Sequence, residues 1–165
     1  MASWQPAYIG IGSNLQDPRA QVLRAWDCLQ TLPDTAAPRL SPLYRSRPFG
    51  PVSQPGFVNA VAGLLTVLDA RSLLMRLKGI ERALGREPAQ RWGPRLIDLD
   101  LLVFGREQRA EPDLVIPHAG IVERNFVLYP LADIAPDLDV PGLGRVTELK
   151  SRLAPEGLWR LEPEP

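Results

Sequence analysis

Lysine is almost missing from these 165 residues: Lys78 and Lys150 are the only two, and every other basic side chain is an arginine apart from one histidine. Any recognition of phosphate through charge would therefore use planar guanidinium forks rather than ammonium points. Net charge is missing too, since 19 basic residues balance 19 acidic ones. That excludes bulk electrostatic binding to nucleic acid or anionic membrane as the main function. Cysteine occurs once, at Cys28, so no internal disulfide can form and a reducing compartment is expected. Cys28 falls in a helical pattern and reads as a packing residue. No apolar run approaches the ~18 residues of a membrane span. The N-terminus shows no basic segment leading into an apolar one, and the expected location is the cytoplasm. The common phosphate-binding signatures are absent as well. There is no glycine loop ending in Lys-Ser or Lys-Thr and no protein-kinase motif set. Gly10-Ile11-Gly12 has Leu15 where a dinucleotide fingerprint needs a third glycine, so these glycines read as a tight backbone turn.

What is present fits one globular domain over residues 1–165, with 45% hydrophobic residues and no internal repeat. Ala7 to Gly12 predicts a buried strand. Asp17 and Pro18 predict a helix start, followed by Val22, Leu23, Trp26 and Leu29 at helical spacing up to Pro33. Leu40 to Ser46 predicts a strand, residues 47–56 an irregular loop, and Phe57 to Val67 a long strand. Asp69 caps a second predicted helix with the stripe Leu73, Leu74, Leu77, Ile80 and Leu84, and Gly85 suits its end. Residues 86–95 predict a second irregular loop. Leu96 to Phe104 predicts the strongest strand, apolar at every position of its second half. Pro112 to Pro117 leads into short helical pieces around Ile121 to Ala132, and the tail holds one helix near Val146 to Leu153. The order β-α-β-β-α-β predicts an α+β sandwich, an antiparallel sheet with helices packed against it.

Asp98-Leu99-Asp100 carries the first chemical signal. Residues two apart on a strand share a face, so two carboxylates stand together while Ile97, Leu99 and Leu101 face the core. Their repulsion calls for a cation, a protonated carboxyl or arginine partners; a merely solvated sheet face is the alternative. Arg86, Arg91 and Arg95 precede them, with Trp92, Gly93 and Pro94 between. Cations on a loop feeding paired carboxylates suit a magnesium polyphosphate. The alternative is a charged surface loop paired to Glu81 or Glu87. His118, the only histidine, follows Ile116-Pro117 and precedes Arg124, which leaves open either a packed residue or a phosphate contact. Phe57 and Asn59 share one strand face, with Phe49 in the proline-rich loop and Phe126 after Arg124. Such rings could stack a flat heterocycle while an amide reads its edge, or they could simply be core.

The run Arg91-Trp92-Gly93-Pro94-Arg95-Leu96-Ile97-Asp98-Leu99-Asp100-Leu101-Leu102 resembles the signature of the 6-hydroxymethyl-7,8-dihydropterin pyrophosphokinases of folate biosynthesis. Gly12-Ser13-Asn14-Leu15, Leu43-Tyr44-Arg45-Ser46 with Gln54-Pro55-Gly56-Phe57-Val58-Asn59-Ala60, and Ile116-Pro117-His118 with Arg124-Asn125-Phe126-Val127-Leu128-Tyr129-Pro130-Leu131 resemble further blocks in the same order. The resemblance implies a ferredoxin-like three-layer α/β/α sandwich with a mainly antiparallel central sheet. It implies transfer of the β,γ-pyrophosphoryl group of ATP to the pterin hydroxymethyl group, with release of AMP. It further implies two magnesium ions on Asp98 and Asp100, with Arg86 and Arg95 on the phosphates. Trp92, Leu101, His118 and Arg124 would serve ATP. Ser46, Arg47, Phe49, Phe57, Asn59 and Phe126 would hold the pterin. A monomer acting on small molecules, without nucleic acid or membrane partners, is expected. An ADP-forming phosphotransferase and a non-catalytic binding relative are the competing functions. The chain departs from the family pattern at Ser46, where threonine is common, and at Phe57, where tyrosine occurs. The loop between Arg86 and Arg91 is one residue shorter than in well-known relatives. Asp113 and Ala119 stand where an arginine and a tyrosine can contact the nucleotide.

Overall fold

The computed structural model describes residues 3–47, 56–85 and 96–163. Alternation organises the first strand, β1 (Gln5–Ser13), which buries Ala7, Ile9 and Ile11 on one face. Asp17 then caps helix α1 (Pro18–Gln30), accepting the Ala20 N–H at 3.3 Å with Pro18 in the first turn, as the sequence predicts. Asp69 does the same for α2 (Ala70–Ala83) through the Ser72 N–H at 2.8 Å, and that bond holds its carboxyl below the usual range.

The strand predicted over Leu40 to Ser46 is two pieces, β2 (Thr35–Leu40) and β3 (Tyr44–Ser46). Both pair antiparallel with one edge of β4 (Phe57–Thr66). The break falls at Ser41-Pro42-Leu43, where Pro42 has no N–H to offer a ladder. Ser41 bridges the gap: its N–H donates to the Val61 carbonyl at 2.9 Å, and its hydroxyl accepts the Val61 N–H at 2.9 Å. The other edge of β4 pairs with β1, and β1 pairs with β5 (Asp98–Phe104).

Strands form at three places where the sequence predicts none. Residues 109–116 form a hairpin of β6 (Arg109–Glu111) and β7 (Leu114–Ile116), not a lead-in to helix. The tail adds β10 (Leu158–Arg160), which pairs with β3 and extends the main sheet to the order β10-β3-β4-β1-β5. A second small ribbon joins β8 (Asp139–Val140) to β9 (Gly144–Arg145). The helical pieces predicted over Ile121 to Ala132 are a single 3-10 turn (Ile121–Glu123) and helix α3 (Asn125–Ile134); α4 follows at Val146–Ser151.

Every strand pairing of the described residues is antiparallel. Helices α1 and α2 cover one sheet face, where Ile9, Ile11, Ala60, Ala62, Leu99 and Leu101 meet Val22, Leu29, Leu73 and Leu77. Helices α3 and α4 cover part of the other face, with Val61, Leu102 and Val103 against Leu128 and Leu131. This is the three-layer α/β/α sandwich. No helix of the described residues is long and apolar enough to cross a membrane.

Candidate active site

The face opposite α1 and α2 is apolar at one end and polar at the other, and strand register shows why. Gly12 pairs with Asn59 on one side and Asp98 on the other; Gly10 pairs with Val61 and Asp100. Asn59, Gly12 and Asp98 thus form one cross-strand row. Asn59 and Asp98 lie two strand spacings apart, roughly 10 Å. The tight turn expected at Gly10 and Gly12 is not there: both glycines lie inside β1, flanked by the buried Ile9, Ile11 and Ser13. They leave bare backbone between the amide and the carboxylates. A Cβ on Gly12 would stand 3.2 Å from Asn59 Oδ1 and 3.9 Å from the Phe57 ring, so any side chain there would intrude on the floor of the trough.

At the amide end, Asn59 is buried and its Nδ2 donates to the hydroxyl of buried Ser46 at 2.6 Å. That fixes the amide orientation. Phe57 pairs with Ser46 and lies partly buried on the same face as Asn59. Tyr44, opposite Asn59, donates to Asp133 and accepts from Arg160 at 3.3 Å, which ties β3 to α3 and β10. Burial, the largest cause, and the Asp133 carboxylate push the Tyr44 hydroxyl above its usual pKa, so it stays protonated.

At the carboxylate end, Asp98 and Asp100 project side by side and half-buried from β5, an edge strand of the sheet. The backbone between them is held from behind: the buried Glu81 of α2 accepts the Leu99 N–H at 2.8 Å. Past Leu101 the register slips, and Leu102 forms a bulge without a partner on β1. Its carbonyl turns outward and accepts the His118 N–H at 2.9 Å. The Ile116–Pro117 peptide is cis. His118 Nδ1 accepts the Gly120 N–H at 3.1 Å, so in the neutral ring the proton sits on Nε2. Nε2 stands 3.9 Å from Asp100 Oδ1, beyond a direct hydrogen bond. Burial and then the positive Arg124 lower the His118 pKa, against a smaller opposing pull from Asp98. The ring is therefore a neutral donor facing the carboxylates.

Gly120 has a second effect. A Cβ there would fall 2.8 Å from Arg124 Nε and 2.9 Å from its Cζ, so the guanidinium lies against bare backbone. The same guanidinium stands 5.8 Å from the centre of the Phe126 ring. His118, Gly120, Arg124 and Phe126 thus form one connected group leading into α3.

The two carboxylates match what magnesium takes from a protein in phosphate-transfer sites, one or two carboxylates with the remaining oxygens from phosphate and water. No group of three or more histidine, cysteine, aspartate or glutamate side chains among the described residues is placed to hold a metal by itself. Leu101 is not on this face; it packs in the core under α1 and α2. Arg47 lies beside β10, its guanidinium 5.7 Å from the Trp159 ring centre. Phe49, Arg86, Trp92 and Arg95 lie outside the described residues. Asp113 is bonded by Arg71 through both oxygens, at 2.9 and 3.2 Å. The sequence reading missed Gly12, Gly120 and Glu81. Gly12 stood in the sequence only as part of a tight turn, because pairing partners are invisible before the sheet is assembled.

Known proteins add the remaining observation. The family model for 7,8-dihydro-6-hydroxymethylpterin-pyrophosphokinase (HPPK) matches residues 8–136. A Pseudomonas aeruginosa protein named 2-amino-4-hydroxy-6-hydroxymethyldihydropteridine pyrophosphokinase is 47% identical over 157 residues, covering 95% of this chain and 97% of its own length. A Haemophilus influenzae protein of the same name is 41% identical over 157 residues, covering 95% and 98%. Among solved structures, Plasmodium falciparum HPPK-DHPS with pterin and p-hydroxybenzoate superposes with a TM-score of 0.68 at 15% identity. That match covers 92% of this chain and 43% of the longer one, so this chain spans less than half of that protein, and the likeness is one of fold. By the match of its model and the identity to these relatives, the chain belongs to the 7,8-dihydro-6-hydroxymethylpterin-pyrophosphokinase (HPPK) family.

Proposed function

We propose that this protein transfers the β,γ-pyrophosphoryl group of ATP to the hydroxymethyl oxygen of 6-hydroxymethyl-7,8-dihydropterin and releases AMP, a step of folate biosynthesis. The observation that carries the proposal is the Asn59–Gly12–Asp98 row. It sets a hydrogen-bonding amide and a carboxylate at opposite ends of a floor without side chains. A flat ring can lie on that floor with its polar edge at Asn59 and its hydroxymethyl arm toward Asp98 and Asp100.

Asn59 and Ser46 read the polar edge, aided by the backbone of Arg47 and by Phe49. Phe57 and Phe126 hold the ring faces by stacking. His118 donates Nε2–H and Arg124 a guanidinium to the triphosphate, joined by Arg86 and Arg95, with Trp92 serving the nucleotide side. Asp98 and Asp100 hold magnesium, two ions in this reading. The metal would supply charge neutralisation on the phosphate oxygens. The protein's own contribution is positioning: the pterin oxygen must sit in line with the β-phosphorus. A bond forms between that oxygen and the β-phosphorus, the bridge to the α-phosphate breaks, and the hydroxyl proton is lost. Both substrates bind to residues of one chain, so the enzyme works as a single catalytic domain and a monomer. The lone Cys28 suits a cytoplasmic location.

Incubation with ATP, magnesium and 6-hydroxymethyl-7,8-dihydropterin, followed by nucleotide analysis, tests the reading. AMP formed in step with pterin diphosphate supports it. ADP would assign an ordinary phosphotransferase, and ATP binding without turnover a non-catalytic relative; either result rejects it.

A further inference from the structure

The N-cap of α3, Arg124, makes no side-chain capping bond, and Asn125, the first helical residue, follows it. The Asn125 Nδ2 donates away from the helix, to the Ala154 carbonyl at 3.0 Å and the Glu156 carbonyl at 3.0 Å. Both amide hydrogens are thereby spent on the turn before β10. That turn continues straight into the ring-binding wall. The Gly157 carbonyl accepts the Arg47 N–H at 3.0 Å, and Leu158 pairs with Ser46, whose hydroxyl accepts from Asn59. Gly157 has φ +71, and a Cβ on it would lie 3.2 Å from Arg47 Cδ, so the Arg47 stem rests on this turn.

We infer that Asn125 is a positioning residue for the pterin side of the site, and that the chain segment 154–160 is the strut through which it acts. The inference rests on the functional reading above. Its basis is that Asn125 sits between Arg124 and Phe126 on one wall of the trough, while the strut ends at Ser46 and Arg47 on the other. The two bonds from one amide fix the distance between a wall that stacks the ring and a wall that reads its edge. The ATP side is anchored elsewhere: His118 is held by Leu102 and Gly120, and the Arg124 guanidinium lies against Gly120 rather than against the strut.

Removing the amide should therefore loosen the pterin pocket selectively. The test uses the full chain with Asn125→Ala and Asn125→Gln, measuring pterin and ATP dissociation constants separately, KM for each, and amide exchange at Arg47. Asn125→Ala is expected to raise the pterin Kd and KM about tenfold, the worth of one to two net hydrogen bonds. ATP binding should change less than twofold. Exchange at Arg47 should quicken in the free protein, and Asn125→Gln, which keeps the donors, should recover part of the loss. Equal weakening of ATP and pterin, or unchanged pterin binding in Asn125→Ala, would overturn the inference. A wild-type protein that bound no pterin would instead reject the functional reading, and the positioning role with it.

Discussion

The carboxylate of Glu81 accepts the backbone N–H of Leu99 at 2.8 Å, in the core, between the two aspartates of β5. A buried acid on α2 thus fixes the strand segment that presents Asp98 and Asp100. The sequence offers Glu81 as a possible partner for loop arginines, which lie outside the described residues; its bond to Leu99 is a second role, inside the core.

Replacing Glu81 with alanine leaves a buried N–H unsatisfied, at a cost of about 1–3 kcal/mol. Glu81→Ala should lower stability by that amount in denaturant unfolding, and it should raise the magnesium concentration needed for half-maximal turnover. Glu81→Gln, which can still accept from Leu99, should retain most of both. An alanine variant with unchanged stability and magnesium response would show that the bond has no positioning value.

Gly120 separates folding from nucleotide contact. A Cβ there collides with the guanidinium of Arg124, which is the movable end of a flexible side chain. Gly120→Ala should therefore unfold at nearly the wild-type temperature while its ATP affinity falls several-fold. Calorimetric titration with a non-hydrolysable ATP analogue measures this. Unaltered ATP affinity would mean that Arg124 does not need its place against Gly120.

How much of this was legible in the chain follows from the range of each interaction. The same-face placement of Asp98 and Asp100 needs only the strand period of two, and it was readable. Both helix starts at Asp17 and Asp69 were readable for the same reason, since a cap acts within three residues. The Asn59–Gly12–Asp98 row was not, because it joins residues 47 and 39 positions apart on three strands, and register is a property of the assembled sheet. The hairpin at 109–116 and strand β10 were missed because three-residue strands carry too little alternation to stand out. Pro112 and the charges around it also pointed away from a strand.

Asn59→Leu removes both the amide and the partner of Ser46 while keeping the number and branching of side-chain heavy atoms. Pterin binding should weaken by roughly 1–3 kcal/mol for each stranded polar group. ATP binding should stay within twofold of wild type. Separate calorimetric titrations decide the matter; a parallel loss for both ligands would assign Asn59 a purely structural role.

Asp98→Ala and Asp100→Ala should each nearly abolish turnover, because a magnesium site with two protein carboxylates cannot lose one and keep its geometry. Neither side chain belongs to the core, so circular dichroism and the unfolding midpoint should remain close to wild type. Near-normal turnover with an unchanged magnesium titration in either variant would remove the metal assignment.

Transfer of an intact pyrophosphoryl group is the central claim, and isotopic tracing reads it directly. Two preparations of ATP, one labelled at the β-phosphate and one at the γ-phosphate, are turned over with magnesium and 6-hydroxymethyl-7,8-dihydropterin, and the pterin product is isolated. The account predicts that both labels appear in the pterin in equal molar yield, that the AMP carries neither, and that Asp98→Ala suppresses both together. Label from the γ-phosphate alone, with the β-label retained in ADP, would contradict it.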